Sequence, residues 1–282
     1  MSISIILPCL NESENLKKLL PILKENQPNA EIVVVDDGSS DDSVKIAEEL
    51  GVRTVCHPYR MGNGAAVKTG ARVAQGDILV FMDADGQHNP KDIDRLVSEL
   101  SKGYDMVVGA RNSQSQANFW RFCANTLYNK LGSWMVEHTI MDLTSGFRAV
   151  NADKFKEFLF LLPNHFSYPT TITMAFFRAG YAVTYLPIIA EKRMGKSHIR
   201  PIRDGTRFFL IIFKVGTLYA PLKLFGALSL FFFIFAVFYY MYTFMISGRF
   251  TNMASILFIT SMLVFQIGLV SEQITQLLYK NK

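Results

Sequence analysis

"GDILVFMDADGQ", residues 76 to 87, runs five apolar residues into two aspartates spaced by one alanine. An apolar run this short, bounded by a glycine and an acidic turn, reads as a strand buried on both faces. Four more segments have the same form: "SIILP" (4–8), "EIVVVDD" (31–37), "VRTVCH" (52–57) and "DMVVGA" (105–110). Between them, residues 12–26, 41–50, 64–75 and 90–102 read as helices, with Asp41 or Asp42 able to cap the second and "NPKDID" opening the fourth. Strand and helix in alternation predict an α/β domain, a mostly parallel sheet with helices on both faces. In such sheets ligands sit beyond the carboxyl ends of the strands.

Those ends carry "PCLNE" (8–12), "DDGSSDD" (36–42), "HPYRMGNG" (57–64), "DADGQ" (83–87) and "GARN" (109–112). Asp36 and Asp37 end one strand and can accept hydrogen bonds from a ribose or a base edge; a helix-capping turn explains the same residues equally well. Asp83 and Asp85 bring two hard oxygen ligands to one point, with Gln87 as a third oxygen, a set suited to Mg2+ or Mn2+ shared with a substrate phosphate. A lone D-x-D is weak evidence. At the end of a buried strand near a second acidic pair it becomes strong. His88 reads as a surface residue, because an oxygen set does not need it. "RMGNGAAVKTG" (60–70) lacks the Walker and Rossmann spacings, so Gly62 and Gly64 read as a tight turn and close helix packing.

Half of the 282 residues are hydrophobic, and the excess lies near the C-terminus. Residues 224–248 and 250–271 hold no charged residue, each run long enough to cross a bilayer, with Arg249 between them. A buried soluble hairpin is the weaker alternative. Arg193, Lys196, Arg200, Arg203, Arg207, Lys214 and Lys223 precede the first run, and Lys280 and Lys282 follow the second. The positive-inside rule then places the domain and both termini in the cytoplasm. "MSISIILPCLNESEN" lacks the basic start of a signal peptide. Cys9, Cys56 and Cys123 have no metal-ligand spacing and suit a reducing compartment. "HIRPIRDGTRFFLIIFKVG" (198–216) reads as a basic amphipathic helix on the anionic leaflet, and residues 118–136 as either a second interfacial helix or core. The net charge of +5 gathers beside these segments, so the bilayer explains it better than nucleic acid does.

Taken in order, "ILPCLNE", "VVVDDGSSDDS", "MDADGQ", "DLTSGFR" and "RMGKSHI" resemble the family 2 glycosyltransferases of GT-A fold, and more narrowly their polyprenyl-phosphate branch. The resemblance runs from residue 3 to about residue 210, and the paired apolar runs fit the bacterial members. It implies a GT-A catalytic domain over 1–197, juxtamembrane helices over 198–221, two transmembrane helices over 222–275 and a tail over 276–282. It also implies an inverting transfer of one sugar from a UDP- or GDP-sugar to polyprenyl phosphate.

Carried onto this chain, Pro8, Asn11, Glu12, Asp36, Asp37 and Asp83 would bind the nucleotide-sugar, and Asp83, Asp85 and Gln87 the metal. Arg111, Arg121 and Arg193 would bind the lipid phosphate, with Asn125 and Ser197 beside them. Two departures fall there: Asn125 replaces a serine, and Gly195, Lys196, Ser197, His198 stands where "G-x-S-K" is usual. The catalytic set implied is Asp85, Asp142 and Arg193. A phosphate acceptor is already ionised and needs no general base, whereas a hydroxyl acceptor needs one. Asp142 is the candidate base, or else it orients an arginine or the donor sugar. Alternatives are a hydroxyl acceptor or a non-catalytic scaffold. The processive "Q-x-x-R-W" is absent, and tetramers among the bacterial members make a homo-oligomer compatible.

Overall fold

The computed structural model describes residues 1–111, 119–165, 168–189, 213–214 and 216–280, without the side chains of 119–125 and 278–280. The chain divides into two compact units, Met1–Ile199 and Arg200–Lys282.

In the first unit the apolar runs pair into one seven-stranded sheet of order β3-β2-β1-β4-β6-β5-β7. The five expected strands are β1 (Ile3–Cys9), β2 (Glu31–Asp36), β3 (Arg53–Cys56), β4 (Ile78–Phe81) and β5 (Met106–Arg111). The four expected helices are α1 (Ser13–Asn26), α2 (Ser43–Glu49), α3 (Asn63–Val73) and α4 (Asp92–Leu100). After β5 the chain forms α5 (Phe119–Val136), β6 (Arg148–Asn151), α6 (Ala152–Lys156), α7 (Tyr168–Arg178) and β7 (Val183–Ile188). β1 pairs in parallel with β2 and β4, β2 with β3, and β5 with β7, while β6 is antiparallel to both β4 and β5.

Alternate residues of each strand face opposite sides of the sheet. On one side Ile5, Leu7, Val34 and Val80 join Leu16 and Leu20 of α1, Ile46 of α2, and Ile93 and Leu96 of α4 in the main core. On the other, Ile6 and Val35 meet α3 at Gly70, where a Cβ would stand 2.3 Å from the Ile6 side chain. Both faces are covered over β1, β2, β4 and β5, so the middles of these strands are apolar. β3, expected to be buried on both faces, is instead an edge strand with exposed or half-buried residues. Gly62 and Gly64 do what the sequence suggested. Gly62 adopts φ 106° at the start of α3, and a Cβ on Gly64 would lie 2.0 Å from the Pro163 carbonyl oxygen.

The second unit is a helical hairpin of α8 (Pro221–Ser247) and α9 (Asn252–Lys280). Proline opens α8, and Gly248 closes it in the left-handed conformation at φ 61°. The two helices meet through small residues: Ala236 and Ala254 are fully buried, and Gly268 packs against Phe225. Ser229 Oγ donates to the Ser261 carbonyl at 2.8 Å, and Ser261 Oγ returns the bond to the Ser229 carbonyl at 3.0 Å. Both helices are long and apolar enough to cross a membrane, and only 11% and 17% of their most apolar windows are buried. A soluble core helix would bury most of that surface, so the buried-hairpin alternative fails. The basic stretch 198–216 lies mainly outside the described residues.

Candidate active site

Five loops converge at the carboxyl edge of the parallel strands. Asp36, at the end of β2, is buried, and its Oδ2 accepts from the N–H groups of Gly38 (3.1 Å) and Ser39 (3.0 Å). Its Oδ1 is buried with no hydrogen-bond partner. An unpaired buried carboxylate oxygen is costly, and a ligand N–H would satisfy it. Pro8 lies beside Val35 in the register of β1 on β2. Asn11 takes a positive φ of 56°; its N–H donates to Ser39 Oγ at 2.8 Å, and its Oδ1 accepts from the Ser40 N–H at 2.8 Å. The neighbouring Glu12 accepts from Asn15 Nδ2 at 2.6 Å and donates its N–H to Ser43 Oγ at 3.0 Å. These bonds lace the first two strand-end turns together.

Asp37, expected among the nucleotide ligands, stands at the end of β2 beside Asp36. It is buried, with Oδ1 accepting from the Met61 N–H at 2.8 Å and Oδ2 from the Gly62 N–H at 2.8 Å. Oδ1 also sits 2.9 Å from His57 Nδ1, whose Nε2 is 2.9 Å from Thr69 Oγ1. Both carboxylate oxygens are spent inside the protein, building the turn that starts α3.

Asp83 and Asp85 follow β4. Asp85 Oδ1 accepts from the Gln87 N–H at 3.2 Å, and Gly86 turns the chain at φ 73°. Asp83 keeps 36% of its side chain exposed. Gly146 lies behind it, where a Cβ would stand 3.1 Å from Asp83 Oδ2. Asp83, Asp85 and Gln87 thus stand within one short turn, and their oxygens suit a hard divalent cation. Among the described residues no three His, Cys, Asp or Glu side chains gather as a self-sufficient metal centre. Two carboxylates that leave room for substrate oxygens fit a cation held jointly with a diphosphate.

His88 is not a surface residue. It is buried, stacked on Phe147 with centroids 4.8 Å apart, and its Nε2 is 3.9 Å from Asp83 Oδ2. Burial, aided by the charge on Arg111 and opposed by that on Asp85, pushes the imidazole pKa down to about 4. Exposure was expected because an oxygen ligand set does not need the imidazole, but Phe147 arrives from a distant segment and covers the ring.

That segment also places Asp142. Arg111 grips it through Nε to Oδ2 at 2.8 Å and Nη2 to Oδ1 at 3.1 Å, a fork-to-fork pair. Thr144 adds its N–H and hydroxyl to Oδ1 and accepts from Arg111 Nη2 at 2.6 Å. Burial pushes the Asp142 pKa upward, but the Arg111 bonds and charge, with Thr144, outweigh it and hold the carboxyl below its usual range.

Beneath this loop Arg148 is wholly buried, donating to the carbonyls of Ser145 and Pro169 and to Thr173 Oγ1. Tyr168 donates to the Gly146 carbonyl at 3.2 Å. Of this loop the sequence singles out only Asp142; Thr144, two residues after the acid, has a local signal, whereas Gly146 and the buried Arg148 have none. Arg121 and Asn125 fall within α5, but their side chains, and Arg193 and Ser197 entirely, lie outside the described residues.

Comparison with known proteins assigns the class. The chain matches Glycosyl transferase family 2 over residues 4–159 and the GtrB C-terminal hairpin over residues 220–277. It belongs to glycosyltransferase family 2, with a domain of GT-A fold and a C-terminal hairpin of two apolar helices.

It is 34% identical over 139 residues to an undecaprenyl-phosphate 4-deoxy-4-formamido-L-arabinose transferase of Proteus mirabilis, a match covering 46% of this chain and 42% of that protein. The chain therefore spans less than half of that relative's length. It is 25% identical over 239 residues to the glycosyltransferase AglJ of Haloferax volcanii, covering 81% of this chain and 76% of that one. In fold it is similar to glucosyl-3-phosphoglycerate synthase of Mycobacterium tuberculosis, solved with Mn2+, UDP and phosphoglyceric acid, at TM-score 0.60 and 22% identity over 76% of each chain.

Proposed function

We propose that this protein moves one sugar from a UDP- or GDP-sugar to the phosphate of a polyprenol, with inversion, on the cytoplasmic face of a membrane. The observation that carries the reading is the Arg111–Asp142 pair. Arg111 stands close enough to Asp83 to feel its charge, so a basic fork lies beside the candidate donor carboxylates. The carboxylate that pairs with it among the described residues, Asp142, is already bound through both oxygens and resists protonation. Among the described residues, Arg111 offers a cation for an anionic acceptor, and Asp142 is no ready base for a hydroxyl.

Asp36 Oδ1 would accept an N–H from the nucleotide base, and the laced turn of Asn11, Ser39 and Ser40 would carry the ribose. Asp83, Asp85 and Gln87 would hold a Mg2+ or Mn2+ ion, which neutralises charge on the departing diphosphate. Arg111, with Arg121 and Arg193 of the family pattern, would hold the acceptor phosphate in line with the anomeric carbon. A phosphate oxygen forms the new bond to that carbon as the bond to the diphosphate breaks on the opposite face. Asp142 would keep the Arg111 fork aimed. The hairpin would anchor the enzyme where its lipid acceptor resides, and the basic residues before α8 support a cytoplasmic domain. The name of the Proteus relative supports the polyprenyl acceptor.

The test uses full-length protein in detergent with Mn2+, a panel of radiolabelled UDP- and GDP-sugars, and either polyprenyl phosphate or the free polyprenol. One donor should yield a glycolipid labile to mild acid from the phosphate alone. Equal transfer to the free alcohol would overturn the phosphate-acceptor reading, and no product from any donor would overturn the activity.

A further inference from the structure

His88 has no role in the mechanism above, yet its setting is built. The ring lies flat on Phe147, at an interplanar angle of 20°, and is buried. Its two nitrogens face different surroundings. Nδ1 is enclosed without a hydrogen-bond partner, while Nε2 points toward Asp83 Oδ2. A neutral imidazole carries one N–H and one bare acceptor nitrogen. An orphaned buried N–H is costlier than a bare acceptor, so we assign the proton to Nε2, on the side of the Asp83 carboxylate. At 3.9 Å the contact is a charge–dipole attraction rather than a hydrogen bond. Gly146 backs the same carboxylate, with a Cβ position 3.1 and 3.5 Å from its two oxygens, and Tyr168 Oη lies 3.3 Å from that point. Asp83 is thus framed by three segments: the loop after β4, the segment before β6, and the start of α7.

We propose that His88 is a positioning residue whose Nε2–H fixes the rotamer of Asp83, so that this carboxylate is set to bind a divalent cation. The inference rests on the metal reading of Asp83 and Asp85. Groups that orient metal ligands typically change affinity by about 10- to 100-fold when removed.

Two variants separate donation from packing. His88→Phe keeps a flat ring on Phe147 and removes the N–H. His88→Gln gives up the ring and returns an N–H at about the reach of Nε2. Mn2+ binding is read from the resonance signal of the free ion, on full-length protein in detergent, with UDP and with GDP, and thermal unfolding of the same samples checks folding. The expected result is a Kd for Mn2+ raised about 10-fold or more in His88→Phe and within about threefold of wild type in His88→Gln. Wild-type affinity in His88→Phe would overturn the inference and leave the proposed function standing. Loss of equal size in both variants would assign His88 to packing and also overturn it. A wild-type chain that takes up no Mn2+ with either nucleotide would overturn both.

Discussion

Arg111 and Asp142 form a two-point pair, Nε to Oδ2 at 2.8 Å and Nη2 to Oδ1 at 3.1 Å, between the end of β5 and the segment before β6. Asp142→Asn keeps the shape and removes the charge. Hydrogen bonds to charged groups contribute about 1.5–3 kcal/mol, so kcat/KM for the lipid acceptor should fall roughly 10- to 100-fold, mostly through KM. A general base would instead lower kcat and leave KM nearly unchanged. Steady-state kinetics against acceptor concentration separates the two.

The same pair has a stability consequence. The folded Asp142 carboxyl titrates below its unfolded value of about 3.9. Its contribution is therefore complete above that pH and is lost as pH falls through the lower folded value. Thermal unfolding from pH 7 to pH 3 should show wild type losing more stability below about pH 4 than Asp142→Asn does. Parallel curves would mean that the pair is not formed in solution.

Asp36→Asn should weaken nucleotide binding with little change in fold. The Oδ2 bonds to Gly38 and Ser39 can be kept by the amide oxygen. The position of Oδ1 then carries a donor, which repels a base N–H. A loss of roughly 10- to 100-fold in UDP or GDP affinity is expected, measured by calorimetry. Unchanged affinity would remove Asp36 from the base pocket.

Chelation with EDTA should abolish turnover, and added Mn2+ or Mg2+ should restore it. Asp85→Ala should match the chelated enzyme, about 100-fold or more below wild type, because Lewis-acid stabilisation of a leaving group contributes several kcal/mol. Full activity in Asp85→Ala would refute the metal assignment.

Gly64→Ala tests the packing of α3. The added methyl would lie 2.0 Å from the Pro163 carbonyl oxygen and 2.9 Å from that of His165, both backbone atoms. Overpacking of this kind costs about 1–3 kcal/mol, more than the roughly 1 kcal/mol gained from helix propensity. A lower melting temperature is expected, and an unchanged one would show that the 163–165 loop yields.

The first half of the catalytic unit was legible because each apolar run from β1 to β5 is bounded by polar turns and separated by a helix-length segment. β6 was not, since "RAVN" is four residues long and starts with a buried arginine, against any hydrophobic pattern. β7 was hidden in a similar way: "VTYLPI" is an edge strand of mostly half-buried residues with a proline. At the site, Asp83 and Asp85 could be picked out by residue type and place, and Asp142 through the family resemblance. The placing of Asp37 and His88 depended on partners far along the chain, Met61 and Gly62 for one and Phe147 for the other, which local pattern does not contain.

Because β6 alone runs against the sheet, it reaches the catalytic edge with its beginning, Arg148 pairing with Phe81 and Val108. The segment that enters it, Asp142 to Phe147, is thereby wedged between two strand ends. Its first residue answers to the arginine of β5, and its last two to the turn after β4, Gly146 at Asp83 and Phe147 on His88. One six-residue ruler thus sets the spacing between the group that would take the acceptor and the group that would hold the donor. Inserting or deleting a single residue there would change that gauge while leaving every individual ligand in the sequence.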